Sequence, residues 1–135
     1  MYLYDDYSLR QAMEKMEYHK YSAVPIINRA GNYVGTLTEG DILWELKDRK
    51  LSNLHEAEEI MLRHTNRKRD NEPINVNCNI EDLVMTSMNQ NFVPVIDDNG
   101  IFIGIVTRKS IIEYCYKQYK AVSSAQAGVE KVTEL

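Results

Sequence analysis

A stretch of nineteen residues occurs twice in this chain, and the duplication limits the fold more than any other feature. Val24–Ile42 reads VPIINRAGNYVGTLTEGDI, and 69 positions later Val93–Ile111 reads VPVIDDNGIFIGIVTRKSI, with no gap. Seven positions are identical, and Ile26/Val95, Tyr33/Phe102, Val34/Ile103 and Leu37/Val106 exchange similar residues. Both copies must adopt one local structure. A chain of 135 residues has room for little beyond two such units.

Each copy reads as a hairpin. Val24–Asn28 and Tyr33–Thr38 are apolar and rich in β-branched residues, and they flank the turn residues Arg29-Ala30-Gly31-Asn32. The second copy has Val93–Asp97 and Ile101–Thr107 around Asp97-Asp98-Asn99-Gly100. A short Asx/Gly loop between such runs is a hairpin signal. Pro25 and Pro94 stand at strand starts, where a missing amide is tolerated. A helix is predicted before each hairpin: Ser8 can cap one carrying Leu9, Ala12, Met13 and Met16 on a face, and Asn79 one carrying Ile80, Leu83 and Val84. A second helix follows each hairpin, with Asp41 and Ser110 as its expected N-caps. Further short strands are expected near Tyr2–Tyr4 and Ile74–Val76. The predicted class is α+β: two pseudo-symmetric helix–hairpin–helix units whose small mixed sheets pack together, because a unit of roughly 50–60 residues buries too little apolar surface alone.

The boundaries that follow are 1–50 for the first unit, 51–73 for a connecting segment, 74–120 for the second unit and 121–135 for a C-terminal tail, either a frayed helix or disordered. A helix is expected around Ser52–Leu62. The basic cluster Arg63, Arg67, Lys68 and Arg69 follows Glu56, Glu58 and Glu59, which reads as a solvated linker. A net charge of −4 speaks against general nucleic-acid binding. The longest apolar runs are strand-length, so no membrane span or secretion signal is expected and the chain reads as cytoplasmic. Cys78 and Cys115 form no CxxC, and His19, His55 and His64 fit no metal-ligand spacing. With no Walker A loop and no GxSxG either, the chain is not expected to be an enzyme, and no metal or required cofactor is expected.

Gly35-Thr36-Leu37-Thr38-Glu39-Gly40-Asp41 and Gly104-Ile105-Val106-Thr107-Arg108-Lys109-Ser110, each preceded by its Val-Pro hairpin, resemble the CBS domain family, whose tandem pairs are called Bateman modules. The resemblance runs from about Leu3 to Tyr119. It implies two clefts between the paired domains that in many relatives hold AMP, ATP, S-adenosylmethionine or a cyclic dinucleotide. Carried over, Asp41 would accept hydrogen bonds from ribose hydroxyls, and Thr38 with the following helix N-terminus would hold phosphate. The base would lie against Asn91, Phe92 and Val93 in that cleft, and against Tyr21, Ser22 and Ala23 in the cleft built on Thr107. Ser110 departs from the pattern by replacing the ribose carboxylate, while Arg108 and Lys109 add cations suited to a phosphate-rich ligand such as cyclic di-AMP.

The functional expectation is thus a regulatory adenine-nucleotide sensor, for AMP, ATP or cyclic di-AMP, that passes ligand state to a partner protein and forms a homodimer. The alternative is a structural or protein-interaction pair with degenerate clefts. Plain structural roles stand beside each site residue: Thr38 and Thr107 as strand-end caps, Asp41 and Ser110 as helix caps, Tyr21 and Phe92 as core, Arg108 and Lys109 as surface charges. Met13, Met16, Met85 and Met88 read as core rather than as a ligand platform.

Overall fold

The computed structural model describes residues 1–67 and 70–125. In the first unit a two-residue strand β1 (Leu3–Tyr4) precedes helix α1 (Leu9–His19), strands β2 (Ala23–Ile27) and β3 (Tyr33–Thr38), and helix α2 (Glu39–Asp48). A short helix α3 (Leu54–Ala57) and a 3-10 turn (Leu62–His64) lie in the connection. The second unit repeats the order with β4 (Ile74–Asn75), α4 (Ile80–Ser87), β5 (Phe92–Ile96), β6 (Phe102–Thr107) and α5 (Arg108–Ala125). Both sheets run edge–centre–edge as β1-β2-β3 and β4-β5-β6, with a parallel pair followed by an antiparallel one. The duplication extends to detail, since a β-bulge falls at Ile26/Ile27 and again at Val95/Ile96.

The turns show why the register repeats. The Asn28 side-chain oxygen accepts the amides of Ala30 and Asn32, and Asp97 does the same for Asn99 and Ile101. Gly31 and Gly100 then sit at φ +94° and +82°, a region that favours glycine. The two hairpin tips meet: Asn32 bridges Ile101, and the Phe102 amide donates to the Gly31 carbonyl at 2.8 Å. The Phe102 ring also packs edge-on to Tyr2 and stacks near Tyr33.

Ser8 and Asn79 cap α1 and α4 as expected. The caps of the later helices differ. Thr38 is the N-cap of α2 and the helix starts at Glu39, so Asp41 is the third helical residue rather than the cap. The reason is a reciprocal capping box: Asp41 N donates to Thr38 Oγ1 at 3.1 Å, and Thr38 N donates to the Asp41 carboxylate at 3.0 Å. In α5, likewise, Ser110 N donates to Thr107 Oγ1 at 3.1 Å.

The connection also departs from expectation. Its helix covers only Leu54–Ala57, because the chain beyond it is drawn into the first unit. Leu9 N donates to Ile60 O, Leu62 N to Tyr7 O and Arg63 N to Asp5 O, so backbone groups that a helix would pair internally find partners beside β1. Ala57, Ile60 and Leu62 thereby join the buried cluster of Leu3, Leu9, Ala12, Met16, Val24, Ile26, Leu37 and Ile42. Burying an Ile or Leu side chain contributes roughly 1.5–3 kcal/mol, which holds the segment there. Arg67 is not solvated either: its side chain is 15% exposed and pairs with Asp70 at 2.9 Å. Met16 is core and Met13 half-buried, but Met85 and Met88 stand 64% exposed, so the expectation of a methionine core fails for the second unit. The expected tail begins at residue 121, whereas α5 continues without a break to Ala125; residues 126–135 lie outside the described part.

Candidate functional site

The strand-to-helix junctions bring residues of the two repeats together. The Ser22 carbonyl accepts the Glu39 amide at 3.0 Å, and the Asn91 carbonyl accepts the Arg108 amide at 2.9 Å. Each junction is thereby locked to the segment just before its own Pro. Between the junctions opens a cleft of about 380 Å3, within the roughly 300–1,000 Å3 typical of small-molecule sites. Tyr21, Ser22 and Ala23 line it from the first unit, and Asn91, Phe92 and Thr107 from the second. Met1, Lys20 and Ile105 complete the wall.

Three groups give this cleft its chemistry. The exposed Tyr21 ring stacks on His19 with centroids 5.5 Å apart and planes 10° from parallel, leaving an aromatic edge at the mouth. The exposed Thr107 hydroxyl donates to Ser110 Oγ at 2.9 Å at the first turn of α5, where the Arg108 and Ser110 amides are bonded to the Asn91 carbonyl and Thr107 Oγ1 and the helix presents its positive dipole end. Lys20 supplies a cation from the C-cap of α1, held at φ 61°. Lys20 escaped the sequence reading; its position directly between a helix end and Tyr21 was the available signal.

The remaining predicted residues lie elsewhere. Asp41 is 3% exposed, with its carboxylate on the Thr38 amide, and Val93 is core. The Arg108 guanidinium turns to the end of α4, donating to the carbonyls of Ser87 (3.0 Å) and Met88 (3.5 Å), where a cation complements exposed helical carbonyls. Lys109 is exposed beside it.

The pseudo-symmetric cleft, on the Thr38 side, has a different lining. Thr36, the counterpart of Ile105, is fully buried beneath residues of the connection. Its amide donates to Asp70 Oδ1 at 2.9 Å, and its hydroxyl lies 2.6 Å from the Tyr33 hydroxyl, which donates to the Asn71 carbonyl at 2.9 Å. The Asn71 side-chain amide donates to the Phe92 carbonyl at 3.0 Å, as does Gln90 at 3.1 Å. Burial pushes the Tyr33 hydroxyl up to about 12, the nearby Asp70 charge adding to it while the bonds to Thr36 and Asn71 oppose it. Among the described residues no His, Cys, Asp and Glu cluster could hold a metal ion, and no helix is long and apolar enough to cross a membrane.

The CBS domain family model matches residues 1–48 and 57–117, the second match reaching back into the connection. This chain belongs to the CBS domain family. Among solved structures, the CBS pair is similar to CbpB in complex with c-di-AMP, at 26% identity and TM-score 0.81 over 93% of this chain and 82% of that one. It is also similar to CbpB from Streptococcus agalactiae, at 25% identity and TM-score 0.78 over 100% of this chain and 82% of the other. CBSX2, solved in complex with AMP, shares the fold at 18% identity and TM-score 0.68, over 88% of this chain and 89% of that chain. A curated relative, the L-aspartate semialdehyde sulfurtransferase of Methanocaldococcus jannaschii, is 31% identical over 77% of this chain. An uncharacterised protein of the same organism is 27% identical over 84%. The chain spans only 19% and 26% of the lengths of these two curated relatives.

Proposed function

We propose that this CBS pair is a regulatory module that binds an adenine nucleotide in the open cleft and passes ligand state to a partner protein. The observation that carries the reading is the cleft itself, assembled from both repeats, so that a bound molecule fixes the two units relative to one another. Tyr21 offers a face or edge for the base, Ser22, Ala23, Asn91 and Phe92 form the walls, and Thr107 with Lys20 and the start of α5 takes the phosphate. AMP, ATP and cyclic di-AMP fit this chemistry, and the complex of the 26%-identical CbpB with c-di-AMP supports the last. Lacking a carboxylate at Ser110, the cleft favours ligands recognised by phosphate over those recognised by ribose. Residues 1–50 and 74–120 are the two units of the proposal, with 51–73 as connection; it assigns a cytoplasmic setting and no catalysis.

A homodimer completes the reading. Two grooves lie on the helical face: one of about 650 Å3 between α1 and α2, where Met13, Met16 and Ile42 lie among the charged Arg10, Glu14, Glu17, Lys20 and Glu39, and a more apolar one of about 600 Å3 between α4 and α5 with Val84, Met88 and Ile112. One observation favours the alternative of a structural pair: Thr38 and Asp41 spend their polar groups on each other. Thermal unfolding with AMP, ATP and cyclic di-AMP separates the two. At 100 times Kd a ligand bound only by the folded state adds about 2.7 kcal/mol, which raises the midpoint by several degrees. No shift with any of the three rejects the nucleotide reading.

A further inference from the structure

The two clefts are built by one repeated sequence pattern, yet the chain treats them differently. Gly104 in the second unit has nothing within 4 Å of where a Cβ would stand. At the equivalent Gly35, a Cβ would lie 2.6 Å from Asp70 Oδ1 and from the Arg67 guanidinium. On the outer edge of β3 the Thr36 amide donates to Asp70, and Arg67 donates to the Val34 carbonyl. A few residues on, the Asn71 and Gln90 side-chain amides both reach the Phe92 carbonyl, and Gln90 Oε1 accepts the Glu72 amide at 2.9 Å. A primary amide carries the donor and acceptor pair that the edge of an adenine also presents.

We infer that the Thr38–Asp41 cleft is occupied by the chain's own Asp70 and Asn71 side chains, with Gln90, and that this CBS pair therefore takes one nucleotide per chain, in the Thr107 cleft. The inference rests on the nucleotide reading for its ligand and on geometry alone for the occupied cleft. Three polar groups there already have partners within the chain: Thr36 N has Asp70, the Phe92 carbonyl has two amides, and the Tyr33 hydroxyl has the Asn71 carbonyl. A nucleotide entering would have to displace these bonds, whereas the Thr107 cleft stands open.

Two measurements on the full chain test this. In a Cys78→Ser, Cys115→Ser background, a thiol is placed at Thr36 (0% exposed) or at its counterpart Ile105 (42% exposed) and labelled with a small maleimide. Labelling at position 36 should be slower by roughly tenfold or more, and Asp70→Ala with Asn71→Ala should abolish the difference. Should that pair fail to fold, Asn71→Ala with Gln90→Ala, which leaves the Asp70 bond in place, serves instead. Equal rates at the two positions, or a position-36 rate untouched by opening the cleft, overturn the inference. Calorimetry with AMP then counts sites: one per chain in the parent and two in the opened variant are expected, and two in the parent overturn the inference. Absence of AMP, ATP and cyclic di-AMP binding sinks the nucleotide reading instead, and the thiol rates then decide the occupied cleft by themselves.

Discussion

Replacing Gly35 by alanine, with Gly104→Ala as the internal control, isolates what the connection contributes to the first unit. The new methyl at position 35 would fall 2.6 Å from Asp70 Oδ1 and 2.8 Å from Arg67 Nε. These atoms end flexible side chains, so no backbone must move, and the cost is the set of interactions lost as the pair swings away. Thr36 N–H, on a fully buried residue, loses its partner; leaving a buried donor unmet costs about 1–3 kcal/mol. The Arg67–Asp70 ion pair is partly exposed and adds about 0–1 kcal/mol. Against this, alanine in an extended strand stabilises by about 0.4–1 kcal/mol through the unfolded chain. The net expectation is a loss of about 2 kcal/mol for Gly35→Ala and a gain of a few tenths for Gly104→Ala. At this chain length that is about 8 °C of thermal midpoint between the variants, read by circular dichroism. Equal midpoints would refute the packing of Arg67 and Asp70 against β3.

Arg108→Ala should lower stability by about 1 kcal/mol, by freeing the α4 carbonyls, while changing nucleotide affinity little; a large affinity loss on calorimetry would return Arg108 to the cleft. The buried Tyr33 hydroxyl keeps its proton up to about pH 12, whereas the unfolded chain releases it near 10. Its contribution is therefore complete below pH 10 and is lost between pH 10 and 12. Allowing for partial exposure it amounts to on the order of 1 kcal/mol, and Tyr33→Phe should flatten the midpoint-versus-pH curve in that window; parallel curves would contradict it. Sedimentation at tens of micromolar should give twice the chain mass of 15.7 kDa, and a monomer with and without nucleotide would end the dimer proposal.

What the sequence revealed was set locally. The paired hairpins follow from turn chemistry held within five residues, with Asn28 and Asp97 folding their own loops around Gly31 and Gly100. Thr38 and Asp41 have the spacing of a reciprocal cap, yet Asp41 alone also has the chemistry of an N-cap, and the pattern does not decide between the two; the structure takes the reciprocal cap. What stayed hidden is nonlocal. Ile60 and Leu62 carry no periodicity that says which unit they complete, and the choice is made by backbone partners on residues 5–9. The direction of Arg108 depends on where α4 ends, and the self-made bonds of Asn71 and Gln90 depend on two segments meeting across the cleft.

The connection that packs under β1 gives the molecule two halves of different firmness. Most fully buried side chains among the described residues belong to the first unit and residues 57–62, while the second unit buries Ser87, Phe92, Val93, Pro94 and Ile111 and leaves Leu83, Val84, Val95 and Ile96 half covered. Amide hydrogens of β1–β3, α1 and residues 60–63 should then exchange as one slow cooperative block, and those of β4–β6 and α4 should open more often at lower cost. A molecule seated in the open cleft touches a firm wall and a soft one. Its effect would register as quietened fluctuation of the second half, and on the proposed reading the yielding unit would be the one that signals occupancy.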